Sequence, residues 1–177
     1  MSSLKLYVFG PPRLERGNQV VEINLRKAMA LLVYLAVTRQ PHSRDALATL
    51  FWPESDQSHG RASLRRTLYR LNRALGQDVL HASAETIEFR LDINLWLDIE
   101  VYREHLAACL PTHPANNPTT HPPIQLSSDC QARLVEAAAL YGDDFLAGFT
   151  LPDSPTFNEW HFFQREELRQ SLAQVLV

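Results

Sequence analysis

Five arginines, Arg61, Arg65, Arg66, Arg70 and Arg73, follow one another at helical spacing, interleaved with Leu64, Leu68, Leu71 and Leu75. At roughly 100° per residue the four leucines fall in one narrow stripe. Arg66, Arg70 and Arg73 gather on the opposite side. Arg61 and Arg65 flank the stripe, Ser63 and Thr67 lie between the two faces, and Tyr69 adds an aromatic ring to the basic side. One face requires a core and the other an anion. The usual device that quiets an arginine face is an acidic residue one turn earlier. Between Gly60 and Gly76 there is none. A merely solvated face is the plain alternative, but such crowding is better explained by an outside polyanion, and a nucleic acid is the obvious one.

The elements that must position this helix can be read on either side of it. Ser55, Asp56 and Ser58 offer N-cap oxygens and Gly76 a left-handed stop, so a helix is expected near 56–75. Leu4 to Phe9 alternates as a strand and is punctuated by Gly10-Pro11-Pro12. A second run from Arg13 to Glu15 turns at Arg16-Gly17-Asn18 and returns through Val20 to Ile23. Asn24 is placed to cap a helix from Leu25 to about Arg39, apolar nearly all round and ended by Pro41. Ser43 caps a short helix from Arg44 to Phe51, closed by Trp52-Pro53. Val79 to Leu91 alternates again, with Ile87, Phe89 and Leu91 on one face and a polar tip at Ser83-Ala84-Glu85. The order is long helix, short helix, tight connection, basic helix and hairpin. It predicts a winged helix-turn-helix over residues 1–92, its last helix shaped for a major groove.

The charge is divided to match. The chain has 177 residues and a net charge of -3, yet residues 1–80 hold 12 Lys+Arg against 6 Asp+Glu, while residues 81–177 hold 5 against 14. The basic part is the candidate nucleic-acid surface. Apolar residues make up 45% of the chain, enough for a sizeable core in one or two domains. No apolar run reaches membrane-spanning length and the amino terminus lacks a signal peptide's apolar stretch, so a cytoplasmic location and no membrane partner are expected. Cys109 and Cys130 fit no metal spacing and are expected as reduced, half-buried thiols.

Residues 93–177 read as helical. A helix is expected from about Ile99 to Leu110, a second from Asp129 to Tyr141 and a third from Phe157 onward. Between the first two lies Pro111 to Pro123, proline-rich and nearly uncharged, expected as a mobile loop within one domain. Trp52, Trp96 and Trp160 sit beside apolar residues and are expected as packing anchors. The scattered histidines, the adjacent Asp143-Asp144 and the lack of a nucleophile or phosphate-loop motif give no basis for a metal, a cofactor or an enzyme.

Several runs then carry a resemblance. Strands ahead of a three-helix core with a wing resemble the OmpR/PhoB-type winged helix, and the local wording is similar to transcriptional activators of the SARP type. The matching runs are LYVFGPPRLERG from Leu6, RKAMALLVYLA from Arg26, SRDALATLFWP from Ser43 and RASLRRTLYRLNRALG from Arg61. YGDDFLAGF from Tyr141 and FNEWHFFQREELRQSLAQVL from Phe157 are similar to the bacterial transcriptional activation domain, a tetratricopeptide-like helical module. The resemblance implies a regulator of promoter DNA: an α+β winged helix-turn-helix domain over 1–92, then an all-α domain over 93–177. DNA contacts are expected from Arg61, Ser63, Arg65, Arg66, Thr67, Tyr69, Arg70 and Arg73. RNA polymerase and a second copy on directly repeated sites are the implied partners. Two departures stand out: the wing tip has no basic residue, and the helical region is short for a full tetratricopeptide array, as in a piece of a longer regulator or an unusually short member. A protein interaction module, whose basic helix docks an acidic protein surface, is the alternative; that surface could be the chain's own helical half, in an off state.

Overall fold

Leu4, Leu6 and Val8 alternate with Lys5 and Tyr7, and the alternation places the first set inside. The computed structural model describes residues 3–76, 79–90, 93–109 and 127–175; the expected loop at 111–123 lies outside them. Strand β1 (Leu4–Tyr7) pairs antiparallel with β2 (Arg13–Arg16), Leu6 opposite Leu14, and β2 pairs with the short β3 (Gln19–Val20). A turn with Gly17 at φ 61° joins β2 to β3. The sheet has a fourth member that the sequence did not disclose: β7 (Leu95–Leu97) lies parallel to β1, with Leu4 opposite Leu95 and Leu6 opposite Leu97. Parallel pairing joins strands far apart in sequence, so no local pattern announces it. Residues beyond the expected boundary at 92/93 thus complete the amino-terminal sheet.

Helix α1 (Arg26–Thr38) is buried on nearly every side from Ala28 to Val33 and again at Leu35 and Ala36. Its N-cap is Leu25, in extended conformation and without a side-chain bond, not the expected Asn24. The helix ends at Arg39 in the left-handed region, with its N–H bonded to Leu35 O at 3.1 Å, two residues before Pro41. Strand β4 (His42–Ser43) follows, then α2 (Arg44–Phe51), capped as expected by Ser43 Oγ accepting the Ala46 N–H at 3.1 Å. Helix α3 (Gln57–Leu75) comes after a tight turn. Strands β5 (Leu80–Ala82) and β6 (Thr86–Phe89) form the expected hairpin, with Ile87 and Phe89 buried. The hairpin is widened to three strands because β4 pairs with β6, His42 opposite Ile87.

Helices α4 (Asp98–Cys109), α5 (Ser128–Leu140) and α6 (Pro155–Val175) make up the acidic part. Helix α5 runs back along α4: Cys130 in its first turn meets Cys109 at the end of α4, and Tyr141 beyond its last turn lies 6.0 Å from the Tyr102 ring. This antiparallel return brings the two cysteine Cα atoms to 5.4 Å, and they are joined in a disulfide. The expectation of reduced thiols is corrected here.

The helical part is fused to the rest through the sheet and through α1 and α2. Leu146 N–H donates to Val8 O at 2.8 Å, and Gly10 N–H to Asp144 O at 2.9 Å. Phe51 and Phe157 rings lie 5.5 Å apart, Tyr34 and Trp160 4.9 Å. The buried Ser154 hydroxyl donates to Phe51 O at 3.0 Å, satisfying the last carbonyl of α2. Trp160 against Tyr34, Trp52 beneath Lys27 and Trp96 against Tyr7 all pack, as expected of them. Among the described residues no helix is long and apolar enough to cross a membrane.

Candidate nucleic-acid interface

Helix α3 begins at Asp56, whose carboxylate accepts the His59 N–H at 3.0 Å and the Ser58 hydroxyl at 2.8 Å. These bonds, the His59 amide foremost, hold the carboxyl far below the usual range. The helix then crosses α2 closely at Gly60, which is buried; a Cβ there would stand 3.4 Å from Ala48 Cβ. Leu64, Leu68, Leu71 and Leu75 are buried as the stripe predicts. The helix ends at Gly76, whose φ of 75° is positive but whose ψ of 166° is not that of the left-handed helix. The chain therefore leaves α3 extended, in a region open to glycine alone.

The expected site residues divide into three groups. Arg61, Arg65, Arg66, Tyr69, Arg70 and Arg73 are all exposed, Tyr69 to 68%. Ser63 is half-buried and accepts from Arg66 Nη2 at 3.1 Å. Thr67 is the exception: at 4% exposure it belongs to the core side of the helix, because its position lies nearer the leucine stripe than the arginine face.

Charge compensation is present, but it comes from outside the helix. Asp45 of α2 accepts both Nε and Nη2 of Arg61, the latter at 2.6 Å. The pair stays open to solvent, with 51% of the Arg61 side chain exposed. Arg61 beside Asp45 holds that carboxyl below its ordinary value, helped by a bond from Gln57. Among the described residues no carboxylate lies within ion-pair distance of Arg65, Arg66, Arg70 or Arg73. Among the described residues four of the five guanidinium groups thus lack a carboxylate partner, a crowding that an arriving anion would relieve.

Sequence reasoning missed Arg44. Its backbone N–H donates to Glu85 O at 2.8 Å and its Nε to Ser83 O at 2.9 Å, so the first residue of α2 is tied to the wing tip. Only the pairing of β4 with β6 brings them together. Ser83 Oγ accepts the Thr86 and Glu85 N–H groups at 2.9 and 3.2 Å and closes the turn. Lys27 shares a surface hollow with Leu25, Trp52, Ser63, Arg66, Thr67 and Arg70, but it is engaged with Phe51 O at 2.6 Å and Asp153 at 2.7 Å.

The acidic half does meet cations, though those of α1 and its end. Lys27 pairs with Asp153, Arg39 with Glu100 at 2.7 Å, and Arg26 donates to Thr150 O at 2.9 Å while lying over the Phe149 ring. Among the described residues no carboxylate of the acidic half forms an ion pair with an α3 arginine. Of the adjacent carboxylates, Asp144 is held by Arg169 and by the Tyr141 hydroxyl at 3.2 Å, with the Tyr141 pKa pushed up to about 12 by burial and by Asp144. Asp143 Oδ1 accepts the Asp144 N–H at 2.7 Å. A structural task thus accounts for both.

The fold is therefore a mixed α/β one of six described helices and two small sheets, presenting one arginine-rich helix beside a hairpin. Among solved structures it is similar to EmbR of Mycobacterium tuberculosis in complex with a low-affinity phosphopeptide. The TM-score is 0.68 at 18% identity, over 99% of this chain and 46% of that one. The likeness establishes the fold, and the chain spans a little under half of EmbR. No protein-family model and no curated protein matches the sequence.

Proposed function

We propose that the chain is a sequence-specific, DNA-binding transcriptional regulator of the SARP type, acting as an activator. In this reading residues 1–92 are a winged helix-turn-helix domain, with α3 in the major groove. Residues 93–177 are a tetratricopeptide-like bacterial transcriptional activation domain that meets RNA polymerase or a partner domain. The observation that carries the reading is the state of α3: its leucines are sealed in the core, while Arg65, Arg66, Arg70 and Arg73 are exposed without a carboxylate among the described residues. A face of that kind binds phosphates and releases counterions, and guanidinium groups in the groove can pair bidentately with guanine. The EmbR-like fold and the SARP-like sequence runs agree with it.

Selection of bound sequences from a random duplex pool tests the reading and returns the site in one step. Enrichment of a directly repeated motif is the expected result. No retention on duplex DNA or heparin at low salt would remove DNA from the account and leave an interaction module facing an acidic protein.

A further inference from the structure

The wing tip has no basic residue of its own, since Ser83-Ala84-Glu85 forms the turn. In the folded chain it acquires one from α2. Arg44 is fastened to the tip by its backbone N–H and by Nε, the second bond at 2.9 Å, and among the described residues its two terminal nitrogens make no hydrogen bond. An open pocket lies beside it, lined by Arg44, Arg61, Leu64, Arg65 and Ala84. Three arginines from two helices therefore line one hollow, with a leucine in its wall. Two carboxylates act nearby: Asp45 is bonded to Arg61, and Glu85 adds to the field at Arg61 without bonding to it. Arg65 is met by neither.

We infer that Arg44, Arg61 and Arg65 form a pocket for one phosphate group, and that this pocket supplies a sequence-independent part of the grip on DNA. The inference rests on the DNA-binding reading and deepens it by separating two sets of arginines. A single tetrahedral oxyanion can accept from several guanidinium groups at once, which a flat base edge cannot. Arg66, Tyr69 and Arg73 lie on the part of α3 directly opposite its buried stripe, the face that a groove floor would meet. Arg61 and Arg65 lie to one side, toward the wing, where a groove wall would be. Asp45 is a positioning residue in this scheme. It fixes the Arg61 guanidinium through two bonds and subtracts one charge from the pocket, restraining non-specific binding.

The shared chemistry is a phosphate, which could be a phosphodiester of the duplex or a free phosphate. Two arms separate them, both on the full chain. In the first, Arg44→Ala, Arg65→Ala and Asp45→Asn are titrated against a selected duplex and a random duplex across a salt series. Each arginine variant is expected to lower the slope of log K against log salt by about one unit and to weaken both duplexes alike. Asp45→Asn is expected to tighten both. Arg65 is bonded to no described residue, so its variant remains informative even if Arg44→Ala loosens the wing. An unchanged slope in Arg65→Ala, or a changed preference at one base pair, overturns the pocket while leaving DNA binding intact. In the second arm, inorganic phosphate is compared with chloride at equal ionic strength for its effect on Tm. If the wild-type chain binds no duplex but phosphate raises its Tm and not that of Arg65→Ala, the pocket stands with a free phosphate and the DNA reading falls. Failure in both arms overturns both.

Discussion

The carboxylate of Asp98, at the start of α4, accepts the backbone N–H of Val8 at 2.8 Å across ninety residues of sequence, and that of Phe9 at 3.0 Å. Asp98 is 2% exposed. It stitches the two residues directly after β1 to the first turn of the helical half, just where β7 completes the sheet. Replacing it with alanine removes the acceptor of three backbone N–H groups, those of Val8, Phe9 and Ile99, and a loss of about 3 kcal/mol is expected. Asp98→Asn, which keeps one acceptor, should lose less. Urea unfolding of the two variants checks the order, and an alanine cost below about 0.5 kcal/mol would show that the stitch is idle.

Gly60, inside α3, and Gly76, at its end, should respond to alanine in opposite directions. Gly60→Ala adds a methyl 3.4 Å from Ala48 Cβ, at the edge of ordinary contact, while removing the backbone freedom of a helix-interior glycine. The expected result is a gain of up to about 1 kcal/mol. Gly76→Ala must hold φ 75° with ψ 166°, and is expected to cost about 1–3 kcal/mol. Thermal melts distinguish them by sign.

Acid should weaken the fold through histidine before it reaches the carboxylates. His161 is buried with Nε2–H donating to Phe145 O at 2.8 Å, and burial is the leading cause of its lowered pKa. Phe145 O and Asp144 favour the charged ring, while Arg165 opposes it. His42, beside Thr38 Oγ1, is shifted the same way by burial. A depressed folded pKa means that the unfolded state takes up protons first. The stability from these rings is thus complete above the ordinary value of 6.5 and falls as pH drops through the folded values. Asp98 acts oppositely: burial raises its pKa, so its share is lost as pH rises from 3.8 through the raised value. Unfolding midpoints measured from neutral pH to about 5 should decline, and His161→Gln, which keeps a donor, should flatten the decline. A flat wild-type profile would contradict this.

Reduction should loosen the α4–α5 pair. The bridge from Cys109 to Cys130 closes a loop with a sequence separation of 21. On the chain-entropy account, a loop of that size is worth about 3 kcal/mol. Reductant is expected to lower the Tm of the wild-type chain and to leave a Cys109→Ser/Cys130→Ser variant unmoved. Equal melts with and without reductant would show the bridge to be without effect.

How much of this was legible beforehand depends on how far apart the cooperating residues lie. The leucine stripe of α3, the Ser43 cap of α2 and the all-round burial of α1 are written in neighbouring residues, so periodicity and cap chemistry were sufficient for them. Errors at this range were small: a cap on Leu25 and not Asn24, and a glycine exit that is extended. Thr67, expected between the two faces, lies on the core side, because periodicity draws that boundary only coarsely. Helix α5, Ser128–Leu140, agrees with the expected 129–141 to within one residue at each end.

What the amino-acid order determined by itself is therefore the helix α3 and its two faces, because side chains three and four residues apart must share a side of any helix they form. What only the tertiary structure decided is everything that joins distant segments: β7 against β1, Cys109 against Cys130, Asp45 against Arg61, and Arg44 at the wing tip. Those contacts depend on how the elements pack in space. A strand of three residues, a helix end or one arginine carries no local trace of the partner it will meet.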